Sequence, residues 1–203
     1  ALADSALHES VVDSAKEAFE ELEKLYRTLY PLAGGTKNRH VSQINPEAGN
    51  HPIPDNEEEI QAALNASAIV WEQYPYYEMR YGERGKRFCD SDSCWLATLT
   101  KLGPEDMSRQ VGWLGRVLAA RGMPTIMLEH VLRVLYVELT MTAPDNPSKY
   151  EGFLGAADFL GGARDKIVSR DLFRKLVREF DDRIGVDMAK QHRNFGKLLV
   201  SSV

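Results

Sequence analysis

Cysteine is scarce in this chain, with two residues, Cys89 and Cys94, among 203. Two thiols are too few for a disulfide framework, and they fit a reducing compartment, so the cytoplasm is the expected location. Long apolar runs are missing as well: no stretch approaches the roughly 20 residues that span a bilayer. The opening ALADSALHES carries neither a basic region nor an apolar run of the kind that makes a secretory leader, so none is expected there. Positive charge is not in excess. The net charge is −5 and the basic residues are interleaved with acids, a pattern that excludes a nucleic-acid surface of clustered Lys and Arg. The expected partners are therefore a small molecule or a second copy of the chain, not nucleic acid and not a membrane.

Several chemical signatures are also lacking. No His-Glu-x-x-His or Glu-x-x-His pair occurs, and the Cys89-x4-Cys94 spacing has no companion pair to close a zinc site, so no metal is expected. There is no Gly-x-Ser-x-Gly nucleophile turn and no phosphate-binding glycine loop. Asp181 and Asp182 sit on an amphipathic segment and read as solvated. Catalytic residues stay unassigned, and whether the chain is an enzyme is left open.

What is present is helical periodicity. The apolar fraction of 43% is enough for one core, and no pair of alternating runs joined by a hairpin turn appears. Residues 4–32 carry Val12, Ala15, Phe19, Leu22, Tyr26 and Leu29 at steps of three and four, a narrow stripe suited to a bundle or a dimer seam. Residues 33–55 are rich in Gly, Pro and Asn and read as a long surface loop. Asp55 or Asn56 then caps a helix that opens on Glu57, Glu58 and Glu59, and Pro75 restarts it within an aromatic cluster. Tyr81–Phe88 reads as a basic connector, with Ser91 or Ser93 capping a short helix after it.

Helices are further expected at 105–120, at 124–142, across Phe153–Leu160 to about Gly161, and over 170–199 with a bend at Gly185. The 124–142 segment is apolar on most of its circumference and should be the central, buried rod. The expected architecture is all-α, about seven helices, globin-like or bundle-like, as one domain over 1–203: an N-terminal helix (1–32), a loop (33–55) and a helical core (56–203).

One region concentrates candidate ligand-binding side chains. Arg84 and Arg87 suit charge-assisted bonds to acidic groups, while Tyr77, Trp95 and Trp113 suit the wall around a flat apolar ligand. The same residues also suit an ordinary core with a basic surface. His130, midway along the apolar helix, is either a boundary histidine with a hydrogen-bonded neighbour or an iron ligand.

The run Arg87-Phe88-Cys89-Asp90-Ser91-Asp92 through Trp95-Leu96, then Gly103-Pro104, Gly115-Arg116 and Arg121-Gly122-Met123-Pro124, resembles in outline the second half of phycobiliproteins. In those globin-like proteins a bilin-bearing cysteine is followed by charged residues, short helices and a Gly-x-Pro turn. The resemblance implies a tetrapyrrole pocket with Cys89 as the attachment position, and His130 followed by two more helices is similar to the order around a globin's proximal histidine. The expected function is thus a non-enzymatic sensory or small-ligand-binding domain, for a haem or a bilin among other ligands. The alternatives are a helix-mediated dimerisation module and an enzyme using the same pocket.

Overall fold

In the computed structural model residues 39–202 are described, and they form eight α-helices joined by short turns. The expected helix at 4–32 lies outside the described residues. Among the described residues no strand forms; the single β-type pairing is an isolated bridge between His40 and Pro52.

Helix α1 (Glu57–Glu72) starts where Asn56 accepts a hydrogen bond from the Glu58 amide at 2.8 Å, with three glutamates in the first turn. Capping side chains and acids there satisfy the exposed amides and the positive helix end. Its buried face is built from Ala62, Ala63, Ala66 and Val70, small side chains that let a neighbouring helix approach closely. Helices α2 (Pro75–Ala97) and α3 (Pro104–Ala119) both begin on proline, whose missing N–H costs nothing at that position. Helix α4 (Ile126–Thr142) is the interior rod: it packs against α1, α5 (Gly152–Asp165) and the C-terminal α8 (Phe195–Ser201). Leu132, Leu135 and Leu139 of α4 are completely buried. Its circumference is not closed all round, because Val137 and Met141 on the far side are 50% and 71% exposed.

Three sequence expectations are corrected. The Tyr81–Phe88 segment is helix, not connector; α2 runs through it and breaks only at Gly82, where φ is 52° and ψ is −153°. Ser91 and Ser93 are therefore interior and buried rather than caps, and the Ser91 hydroxyl is satisfied by donating to the Phe88 carbonyl at 2.9 Å. The described part of the 33–55 loop is anchored: Val41 N–H donates to His51 at 2.8 Å, Ile53 N–H to Arg39 at 3.1 Å, and Val41, Asn45 and Ile53 are buried. The expected single helix over 170–199 is three, namely α6 (Arg170–Ile184), α7 (Val186–Gln191) and α8. Positive φ at Gly185 (82°) and at Asn194 (61°) separates them. Asn194 also donates from Nδ2 to the Gln73 carbonyl at 2.8 Å, which ties the last helix to the end of α1.

The seam between α4 and α5 holds a buried ion pair. The Arg164 guanidinium donates to Glu129, and both side chains are mostly out of solvent. A Cβ on Gly161 would come within 3.2 Å of Glu129 Oε2, so the glycine makes room for the carboxylate. Removing one partner of such a pair leaves the other charge buried alone, at a cost of about 3–5 kcal/mol, whereas replacing both by apolar residues is far cheaper. Glu129→Ala is therefore expected to lower unfolding free energy by about 3–5 kcal/mol in urea melts. Glu129→Leu with Arg164→Met should recover most of that loss; equal destabilisation by the single and double variants would show that the pair is not what matters.

Candidate functional site

The break at Gly82 bears on the larger of two neighbouring cavities among the described residues. In a straight helix the Cβ atoms of residues four apart lie about 5–6 Å from each other. Past the break, a Cβ built on Gly85 would lie 2.4 Å from the Tyr81 Cβ and 2.8 Å from the Trp71 ring. The bend thus demands a second glycine, and the space around Gly85 opens into a cavity of about 400 Å³. Its walls come from the end of α1, both halves of α2, the end of α3, the turn at Met123-Pro124 and the start of α4. Most of the lining is apolar, with Trp71, Tyr77, Tyr81 and Phe88 supplying aromatic rings.

Few polar groups face this space. Asp92 is half-buried in the wall and, among the described residues, accepts no hydrogen bond. Burial pushes its carboxyl up to about 7, with the Arg121 guanidinium opposing that rise. The buried Tyr77 hydroxyl has no hydrogen-bond partner, and burial raises its pKa. The Cys89 thiol is pushed up to about 12, chiefly by burial and further by the charges of Asp92 and Asp90, so it stays protonated. At the rim Arg84 donates from Nε to Glu47 at 2.7 Å, and that hydrogen bond holds the Glu47 carboxyl below its usual range. Arg121 is exposed and makes no ion pair among the described residues.

A smaller cavity of about 190 Å³ lies alongside. Phe88, Asp92, Leu114, Leu118 and Arg121 line both, so the two spaces share a partition.

Of the side chains singled out from sequence, Tyr77, Arg84 and Cys89 line the large cavity. Trp95 and Trp113 line the small one, edge to face with centroids 6.0 Å apart. Arg87 lines neither and reaches Glu47 at 3.4 Å on the surface. His130 also lies outside both cavities, edge-on to Tyr74 at 6.0 Å, where burial with Lys197 and Arg133 nearby lowers its pKa. The site residues missed include Trp71, Tyr81, Gly85, Phe88, Asp92 and Arg121. Gly85, Cys89, Asp92 and Leu96 follow one another at steps of four, three and four, one face of a helix, a signal hidden by treating 81–88 as a connector.

Among the described residues no group of three or more His, Cys, Asp or Glu is placed to hold a metal ion, and no helix is long and apolar enough to cross a membrane. No protein-family model, curated protein or solved structure matches the chain.

The Asp92 carboxyl gives a pH-dependent prediction. Its folded pKa, about 7, lies above the unfolded value of about 3.9. The folded chain keeps a proton that the unfolded chain loses, so Asp92's contribution to stability falls as pH rises from about 4 to about 7 and is level above that. Asp92→Asn carries no such penalty. Its melting temperature should match that of the native chain near pH 4 and exceed it increasingly up to pH 7; a difference independent of pH would count against a raised carboxyl.

Proposed function

We propose that this chain is a non-enzymatic helical domain, of sensory type, that binds a small apolar ligand in the large cavity. The observation that carries the reading is the cavity itself: about 400 Å³, walled by aromatic and aliphatic side chains, with a few polar groups. That size falls within the range of about 300–1,000 Å³ usual for small-molecule sites, and such sites combine an apolar lining with sparse polar handles. Gly85 in its wall leaves room for Tyr81 and Trp71, which a side chain at that position would displace. The one thiol in the wall is held protonated and no histidine lines this cavity, so neither residue type supplies a nucleophile or base there.

A tetrapyrrole is the more demanding version of the proposal. His130 faces away from the cavity, and a protonated Cys89 is a poor iron ligand and a poor nucleophile for bilin attachment. A smaller ligand is therefore preferred. Self-association through the stripe of residues 4–32 rests on residues outside the described ones.

The test is titration with N-phenylnaphthylamine, a neutral apolar fluorophore, followed through its own emission and through quenching of tryptophan. Saturable one-to-one binding is expected, weakened at least about tenfold in Leu118→Phe, which fills the cavity from the α3 side. Absence of saturation, or equal binding by the filled variant, would sink the reading. Haemin and a bilin in the same assay test the tetrapyrrole version, which an unchanged absorbance spectrum would remove.

A further inference from the structure

Resting on the reading of the large cavity as a ligand site, we infer that its ligand is a hydrophobic amine, with its apolar body among Trp71, Tyr77, Tyr81 and Phe88 and its ammonium group on Asp92. The polar groups in the wall define what a ligand has to supply. The Asp92 carboxylate and the Tyr77 hydroxyl both lack a hydrogen-bond partner among the described residues, and Tyr77 is fully buried. A carboxylate only accepts hydrogen bonds and a phenol oxygen is able to, whereas an ammonium carries three donors and no acceptor. Among the described residues neither group has a donor set against it, and an ammonium brings three.

The remaining lining favours the same charge. Aromatic faces attract cations through the negative potential above the ring; of the four rings in the wall, Tyr81 already carries Arg80 and Phe88 carries Arg84, which leaves Trp71 and Tyr77 for the ligand. The two arginines at the rim do not convert it into an anion site. Arg84 is already paired with Glu47, and Arg121 is exposed, where water and salt weaken its reach. An anionic head reaching Arg121 would also lie against Asp92, which lines the same wall.

Charged and titratable groups around Asp92 are few. Arg121 follows α3, Tyr77, Tyr81, Arg84 and Cys89 share α2 with it, and Glu47 and His51 face it across the smaller cavity. From α1 only Trp71 lines the space, and from α4 only the apolar Met127, Leu128 and Val131 do. An ammonium bound on Asp92 stabilises the ionised carboxyl, so the complex holds less of the carboxyl proton than the unbound chain does near neutral pH.

Calorimetry of the full chain at pH 7 with phenylbutylamine, phenylbutanol and phenylbutyrate tests this, because the three share a body and differ in the head group. The amine is expected to bind at least about tenfold tighter than the alcohol, with the carboxylate weakest. Amine binding should release a proton, read as a binding heat that changes with the ionisation heat of the buffer. In Asp92→Asn, whose fold is checked by its melting curve, the amine-to-alcohol ratio should fall to about one and the proton release should vanish. Binding of all three with the alcohol or the carboxylate equal to or tighter than the amine overturns the amine inference and leaves the cavity as a ligand site. Failure of all three to bind overturns both.

Discussion

At Gly82 the backbone takes φ 52° and ψ −153°, a combination essentially restricted to glycine, and helix α2 bends there without ending. The bend collapses the usual spacing between Tyr81 and Gly85, so that no side chain fits at residue 85. Trp71 closes in from α1, and the second half of α2 stands off from α3 and α4 around an apolar space. The cavity is thus a consequence of backbone geometry first and of side-chain chemistry second.

Against that background, the buried Glu129 and the half-buried Asp92 illustrate how surroundings assign roles. Glu129 lies between α4 and α5, meets Arg164 directly, and is accommodated by Gly161. Its charge is compensated, and its part is to hold two helices in register. Asp92 meets no donor and faces an apolar space, with only the guanidinium of Arg121 to favour ionisation. A native structure retains an uncompensated acid at the expense of stability, and such groups concentrate where ligands bind. The same distinction separates the histidine from the thiol: His130 packs on Tyr74 outside the cavity, while Cys89 is inside it but chemically quiet.

The legible parts of the fold were those governed by local chemistry. Asp55 or Asn56 with Glu57–Glu59 marked the start of α1, Gly103-Pro104 the boundary before α3, and the apolar run of 124–142 the central rod, because capping, proline and periodicity act within a few residues. Gly82 misled for a related reason. In sequence a glycine among charged residues signals a connector, and whether it ends a helix or bends it depends on what the flanking turns pack against. Ser91 and Ser93 were misread in consequence, since both are good caps only if a helix starts there.

By itself the sequence determined that the chain is helical, that the 124–142 segment is interior, and that aromatic and basic residues gather between positions 74 and 95. Periodicity, capping and composition are properties of neighbours along the chain, and they suffice for that much. Only the tertiary structure decided which residues share a space: Trp71, Gly85, Asp92 and Arg121 line one cavity, whereas His130 and Arg87 line neither. That outcome depends on one positive backbone angle and on the packing of helices distant in sequence, and neither is encoded in the spacing of residue types.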